Sequence, residues 1–139
     1  MMYLLCGLPA SGKSTYANNL GLPVVSADTI RKEWYGDAAI QGDGKAIFAE
    51  VYSRIDKLIV KGVDFCVDNT SVDIRSRANY LGRGTEVVAV FFNTPVTECK
   101  RRNSLRERVV PEWVIDKMAS RLVPPSTEEG FLKVDVINP

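Results

Sequence analysis

The stretch that decides the fold is Met2–Ser14, MYLLCGLPASGKS. Its first part, Met2–Cys6, is a continuous apolar run, which is typical of a buried parallel strand. The second part, Gly7–Ser14, matches the pattern G-x-x-x-x-G-K-[ST] without a mismatch. In such a loop the backbone N–H groups surround phosphate oxygens, and the helix that follows adds the positive end of its dipole. We therefore predict a strand, a phosphate-binding loop and a helix in this order.

The loop predicts a nucleoside triphosphate site in which different residues bind the phosphates and the metal ion. Lys13 would reach the β- and γ-phosphates, and the Ser14 hydroxyl would hold Mg²⁺. The other predicted nucleotide contacts within the loop and the start of the helix are Gly7, Pro9, Ala10, Ser11, Gly12 and Thr15. The alternative, an ordinary glycine turn, would leave Lys13 at a helix start, where the dipole disfavours a cation. The expected donor is ATP or another nucleoside triphosphate, and the guanine motif N-K-x-D is absent from the sequence.

Strand and helix patterns alternate along the remaining chain. The predicted strands are Met2–Cys6, Pro23–Ser26, Val63–Val67, Glu86–Phe92 and Lys133–Ile137. The predicted helices are Ser14–Leu20, Thr29–Tyr35, Lys45–Val60, Asp73–Leu81, Pro95–Asn103 and Pro111–Leu122. This alternation predicts one α/β domain over residues 1–139, with a five-stranded parallel sheet between helices on both faces.

The composition excludes several chemistries. The sequence has no histidine, so it holds no Ser-His-Asp triad and no imidazole base. The three cysteines match no metal-binding spacing, and we expect reduced, buried thiols at Cys6, Cys66 and Cys99. The N-terminus lacks the basic region of a signal peptide, and no apolar run is long enough to span a membrane. A cytoplasmic protein without a membrane partner is therefore expected.

An acidic residue follows the second predicted strand, in Ser26–Arg31, SADTIR. Ligands of doubly wound sheets sit at the carboxyl ends of the strands. Without histidine, Asp28 is the best-placed carboxylate to take the proton of an attacking hydroxyl. Arg31 lies one helical turn further and would neutralise a phosphate of the acceptor or the transferring group. The alternative is that Asp28 caps the helix and Arg31 is solvated.

A second carboxylate ends the third predicted strand. Asp68 would hold a metal-bound water and orient Ser14 beside the phosphate loop. The alternative is that Asp68 caps the following helix.

Basic residues crowd between the fourth and fifth predicted strands. Residues 99–121 hold seven basic and three acidic side chains, a local net charge of +4 in a chain of +1. Mobile arginines stabilise the charge that spreads over a transferring phosphoryl group, and Arg102 and Arg106 are four residues apart. This segment, residues 99–121, is called the lid below. The alternative is a solvated basic face.

Two further features leave alternatives open. The segment Pro124–Phe131, PPSTEEGF, is either a structural turn or an apolar wall for the base, with Pro125 as the contact. Trp34 and Tyr35 either stack on a nucleobase or belong to the core.

The stretches GLPASGKST, SADTIR, VDNTSVDIRSR and FFNTPVTECKRRNSLRERVVPEWVIDKMASRL together resemble the kinase domain of bacteriophage-type polynucleotide kinases, within the small P-loop kinases. The resemblance implies an adenylate-kinase-like fold and transfer from ATP, with Mg²⁺, to 5′-hydroxyl ends of DNA or RNA. It implies Lys13 and Ser14 as loop residues, Asp28 as general base and Arg31 as reader of the acceptor phosphate. It also implies Asp68 as the strand-end aspartate, and lid arginines at Arg102 and Arg106. For a phage-encoded protein the location would be the host cytoplasm.

Three functions follow from these observations. The first is a polynucleotide 5′-hydroxyl kinase. The second is a kinase of a nucleoside, an antibiotic or another small hydroxylated metabolite. The third is a nucleotide-dependent switch or binding module, against which Asp28 and the lid arginines argue.

Overall fold

The structure is a computed structural model that describes residues 1–139. The strands are β1 (Met2–Cys6), β2 (Val24–Val25), β3 (Phe65–Asp68), β4 (Val87–Phe92) and β5 (Lys133–Ile137). The α-helices are α1 (Lys13–Leu20), α2 (Ala27–Tyr35), α3 (Gly44–Lys61), α4 (Ile74–Ala78), α5 (Val96–Ser104) and α6 (Glu112–Arg121). A short 3₁₀ helix, Thr127–Glu129, precedes β5.

The five strands form one parallel sheet in the order β2-β3-β1-β4-β5. The central strands β1 and β4 are almost wholly buried, as their apolar runs predict. One face of the sheet packs against α2 and α3, where Ile30, Ile47 and Val51 are buried. The other face packs against α1 through Ala17. The predicted five-stranded α/β fold with helices on both faces is confirmed.

This topology brings four chain segments to one edge of the sheet. The phosphate-binding loop follows β1, and the strands on either side of β1 are β3 and β4. Their carboxyl ends therefore flank the loop, while β2 leads into α2 next to β3. The lid follows β4. The candidate site therefore lies where ligands bind in doubly wound sheets.

Two element boundaries differ from the prediction in ways that affect the site. Helix α2 begins at Ala27, because the Ser26 hydroxyl caps it by accepting a hydrogen bond from the Thr29 N–H. Asp28 is therefore in the first turn and is not the cap. Strand β3 begins at Phe65 and includes Asp68, since pairing with β1 starts at Met2 and Phe65.

Candidate active site

The loop between β1 and α1 has the backbone of a phosphate cradle. Its start is fixed by the Gly7 N–H, which donates to the Thr70 carbonyl at 2.9 Å. Ala10 and Gly12 both adopt left-handed φ angles, of 63° and 111°. A Cβ at Gly7 would lie 2.7 Å from Oγ of Ser11 and 3.1 Å from Cβ of Phe92, so a side chain at this position would force its neighbours to shift. The left-handed backbone angles at Ala10 and Gly12 turn neighbouring N–H groups to one side of the loop, where they can bind an anion.

Lys13 lies inside this loop rather than in solvent. Its side chain is buried, and Nζ donates to the carbonyls of Gly7 and Leu8 at 3.0 and 2.7 Å. Burial lowers the pKa of Lys13 to about 8, against an opposing contribution from Asp68. A desolvated ammonium at a helix start is expensive unless an anion shares the space, so the loop fits a phosphate group.

Ser11 gives a second observation that fits a phosphate. Its hydroxyl is buried and has no hydrogen-bond partner within the protein. Its carbonyl accepts from the Thr94 hydroxyl at 2.9 Å and from Nη1 of Arg102 at 3.3 Å. The loop is thus anchored to the end of β4 and to the lid. Among the other predicted contacts, Pro9 and Ala10 form the partly buried turn, and Thr15 is exposed on α1.

The Ser14 hydroxyl donates to Oδ2 of Asp68 at 2.8 Å, across 54 residues of sequence. The two predicted metal-site residues are therefore in contact. Their oxygen donors are the type that Mg²⁺ prefers, so the chemistry of this pair fits that ion. Asp68 does not cap the following helix, because Asp73 does so by accepting from the Ser76 N–H. No group of three or more His, Cys, Asp or Glu side chains is suited to hold a metal.

Asp28 carries an arginine on each carboxylate oxygen. Nη1 of Arg31 donates to Oδ1 and Nη1 of Arg108 donates to Oδ2, both at 3.1 Å. Arg31 comes from the same helix and Arg108 from the lid, 80 residues away. Arg108 belongs to the basic cluster in the sequence, but no sequence pattern indicates that this arginine reaches Asp28. Its position depends on how the lid folds back over α2.

The two predicted lid arginines have different surroundings. Arg102 bonds Glu98 at 3.0 Å as well as the Ser11 carbonyl, so it contacts the phosphate-binding loop. Arg106 is exposed and donates to the Arg108 carbonyl at 3.2 Å. Its charge contributes to the lowered pKa of Lys13, although burial is the main cause. The basic cluster is thus partly ion-paired rather than wholly solvated.

Two asparagines hold neighbouring segments of the site together. The sequence pattern did not predict this structural role. Asn69 accepts from the Ala27 N–H at 3.0 Å and donates to the Tyr80 hydroxyl at 3.1 Å. It thereby fixes the start of α2, and with it Asp28, to the end of β3. Asn103 clamps both backbone groups of Val110, at 2.9 and 2.6 Å, and closes the lid loop between α5 and α6.

The segment before β5 makes the contacts of a structural turn. Pro125 is buried. Glu129 accepts two hydrogen bonds, at 2.9 and 3.2 Å, from the fully buried Arg77. Phe131 belongs to the core cluster that contains Tyr80. The burial of Pro125 favours the structural turn over an apolar wall for the base, and a nucleotide contact at Pro125 stays a prediction.

The aromatic pair on α2 does not belong to the core. Trp34 and Tyr35 are 44% and 38% exposed. Tyr35 nevertheless has a structural role, since its hydroxyl accepts from the Asp43 N–H at 3.1 Å and its ring covers Gly42. Trp34 is the aromatic side chain of this pair that is free to meet a ligand.

The cysteines are buried as predicted. Burial raises the pKa of Cys6 and Cys66 to about 12 and also raises that of Cys99. All three thiols therefore stay protonated near neutral pH and are unsuited to nucleophilic catalysis. No helix is both long and apolar enough to cross a membrane.

Sequence comparison relates this chain to known proteins. A family model described as an AAA domain matches residues 2–125. A protein of Acanthamoeba polyphaga mimivirus, described as a bifunctional polynucleotide phosphatase/kinase, is 26% identical over 149 aligned positions. That alignment covers 98% of this chain and 32% of the viral protein. This chain therefore spans about a third of the length of that relative. The resemblance to polynucleotide kinases is confirmed by this match.

Solved structures show the same fold. A chain of the Pnkp1/Rnl/Hen1 RNA repair complex matches with a TM-score of 0.75 and 21% identity, covering 87% of this chain and 43% of that one. A sugar kinase from Janibacter sp. HTCC2649 matches with a TM-score of 0.74 and 19% identity, covering 99% and 84%. The predicted P-loop kinase fold is thereby confirmed.

Proposed function

The chain belongs to the AAA domain family, and on that premise we propose that it is a P-loop kinase that transfers the γ-phosphate of ATP to the 5′-hydroxyl end of a polynucleotide. One observation carries the proposal. The lid contacts the phosphate-binding loop through Arg102 and contacts Asp28 through Arg108, so a single segment links the two halves of the site. Residues 1–139 act in this proposal as one kinase domain.

The donor half of the site is the loop with Lys13 and Arg102. Backbone N–H groups at the end of the loop, from Gly12 to Ser14, bind the phosphates, and the Lys13 ammonium shifts from the loop carbonyls to the β- and γ-phosphates. Ser14 and Asp68 would hold Mg²⁺, which neutralises phosphate charge when it is bound. Arg102 and Arg106 stabilise the charge that develops on the transferring group.

The acceptor half is Asp28 with Arg31. Asp28 accepts the proton of the hydroxyl as its oxygen attacks the γ-phosphorus, and the bond to the β–γ bridging oxygen breaks to release ADP. Arg31 binds the phosphate next to that hydroxyl in the polynucleotide. Trp34, one turn further along α2, is exposed and can stack on a base.

The lid supports a polynucleotide acceptor over an uncharged one. Its local net charge of +4 contrasts with a chain of +1, so its positive field is concentrated at the site. The viral relative adds support, since its description names a polynucleotide kinase.

A transfer assay tests the proposal. The protein is incubated with Mg²⁺, γ-labelled ATP and 5′-hydroxyl DNA or RNA oligonucleotides, with 5′-phosphorylated oligonucleotides as the matched control. Label on the 5′-hydroxyl ends alone is the expected result. If no oligonucleotide is labelled and the label goes to another acceptor, the proposed polynucleotide acceptor is wrong.

A kinase of a nucleoside or another small hydroxylated metabolite is the second candidate. It is favoured by the ion pairs that Glu98 and Asp116 make with lid residues, which leave less free charge for a long polyanion. In the same assay this function would label a nucleoside or sugar and leave oligonucleotides unlabelled.

A further inference from the structure

Arg108 is ion-paired, but unlike the basic residues beside it, its acidic partner lies outside helices α5 and α6. Arg101 and Arg102 bond Glu98, and Lys100 bonds Asp116, so these ion pairs stay within helices α5 and α6. Arg108 instead bonds Oδ2 of Asp28, on the acceptor helix α2. It therefore connects the lid to the carboxylate proposed as general base.

The position of Arg108 is set by the loop that carries it. The Asn103 amide, which is buried, holds both the N–H and the carbonyl of Val110. Nε of Arg106 donates to the Arg108 carbonyl at 3.2 Å. These bonds hold the loop backbone at Arg108 and at Val110, and the Arg108 side chain reaches Asp28 from this loop.

Arg108, which bonds Asp28, also lines a depression of the surface. This depression has a volume of about 330 Å³ and lies between the end of α2 and the tip of the lid. Its lining residues are Lys32, Gly36, Asp37, Ala38, Glu107 and Arg108. A ligand in this depression would meet the same guanidinium that contacts Asp28.

We propose that Arg108 makes the site selective for an alcohol acceptor over water, because it occupies Oδ2 of Asp28 until an acceptor displaces it. This inference rests on the proposed kinase function. An acceptor that fills the depression gains contacts that compensate for breaking the ion pair. Water gains none, so it meets Asp28 with both oxygens already bonded to arginines.

The reaction that Arg108 suppresses is hydrolysis of ATP. In it, a water oxygen attacks the γ-phosphorus, Asp28 takes one water proton, and the bond to the β–γ bridging oxygen breaks. The products are ADP and inorganic phosphate. The ion pair is partly exposed, with 37% of the Arg108 and 56% of the Asp28 side chain accessible, so its strength is modest. Its loss should raise hydrolysis by roughly two- to fivefold.

The test measures ADP release from ATP and Mg²⁺ without any acceptor. Wild type is compared with Arg108→Ala, with the double variant Asp28→Asn/Arg108→Ala, and with Lys117→Ala. The last removes an equal charge from an exposed lid residue that makes no side-chain ion pair. We expect faster hydrolysis in Arg108→Ala, a return to the wild-type rate or below in the double variant, and no change in Lys117→Ala. An unchanged or slower rate in Arg108→Ala would overturn the inference, as would a rise that survives Asp28→Asn.

A second measurement does not depend on catalysis. Hydrogen exchange of residues 105–110 should be faster in Arg108→Ala and in Asp28→Asn than in wild type, and unchanged in Lys117→Ala. Equal exchange in all four proteins would contradict the contact. Label transfer to 5′-hydroxyl oligonucleotides, measured on the same samples, separates the two proposals. Failure of wild-type transfer would reject the proposed function, whereas intact transfer without faster hydrolysis in Arg108→Ala would reject this inference alone.

Discussion

The Ser14 hydroxyl and the Asp68 carboxylate, 54 residues apart in sequence, are joined by a hydrogen bond of 2.8 Å beneath the phosphate-binding loop. Parallel pairing of β1 with β3 places Leu5 opposite Asp68, so the contact is built into the register of the sheet. A carboxylate in this position orients the hydroxyl and adds the negative charge that a divalent cation requires.

Replacing Asp68 by Asn should weaken the response to Mg²⁺. The amide keeps a hydrogen-bond acceptor for Ser14 but loses the charge, and loss of such a supporting group costs roughly 10- to 100-fold in metal affinity. A titration of transfer rate against Mg²⁺ concentration measures this shift. An unchanged Mg²⁺ requirement would show that Asp68 only fixes the geometry of Ser14.

The lowered pKa of Lys13 predicts that ATP binding depends on pH. Because that pKa is about 8, free Lys13 loses its proton as the pH rises through 8, while bound phosphates favour the charged form. ATP affinity should therefore fall above pH 8, by up to about tenfold per pH unit, and binding at pH 9 should take up a proton. Calorimetry in two buffers with different heats of ionisation detects that proton. A constant dissociation constant from pH 7.5 to 9.5 would contradict the assignment of Lys13.

Replacing Asp28 by Asn should slow transfer without affecting the donor. Loss of a general base lowers kcat by roughly 10²- to 10⁴-fold, and the donor contacts of the loop are separate from Asp28. Steady-state kinetics gives kcat, and calorimetry gives the ATP dissociation constant. Asp135→Asn, a similar change on β5, is the control and should be neutral. A wild-type kcat in Asp28→Asn would remove Asp28 as the base.

The buried pair of Arg77 and Glu129 should matter for stability. Arg77→Met would leave the Glu129 carboxylate, which is only 7% exposed, without its partner. Breaking one half of a buried ion pair costs about 3–5 kcal/mol of unfolding free energy, measured by urea titration. Lys133→Met, which breaks an exposed pair with Asp135, should cost about 1 kcal/mol or less. Equal losses in both variants would argue that the pair at Arg77 contributes no more than a surface contact.

A polynucleotide acceptor predicts a strong salt effect. Each phosphate contact to a single strand contributes a slope of about 0.7 in a plot of log KM against log salt concentration. The KM of a 5′-hydroxyl oligonucleotide should therefore rise steeply with salt, and that of a nucleoside should stay level. A flat response for the oligonucleotide would favour the small-molecule reaction.

The sequence predicted the sheet and the loop because both depend on local patterns. The apolar run Met2–Cys6 and the glycine motif after it require a buried strand followed by an anion-binding turn, whatever the rest of the chain does. The contact of Ser14 with Asp68 was also predictable, since carboxyl ends of adjacent parallel strands meet at one edge.

The acceptor side was less predictable because it depends on long-range geometry. Arg108 reaches Asp28 from a loop that Asn103 closes by bonding Val110, and no spacing rule specifies those bonds. The sequence could not decide between a structural turn and a wall for the base around Pro125, and the reason is the same. The contact that favours a structural turn there joins Glu129 to Arg77, 52 residues away.

The most direct test of the central claim compares two acceptors under identical conditions. The measurement is kcat/KM for transfer of label from γ-labelled ATP to a 5′-hydroxyl oligonucleotide and to a free nucleoside. We predict a strong preference for the oligonucleotide, because in the proposed function the basic lid and Arg31 bind its phosphates. An equal or larger kcat/KM for the nucleoside would contradict the account.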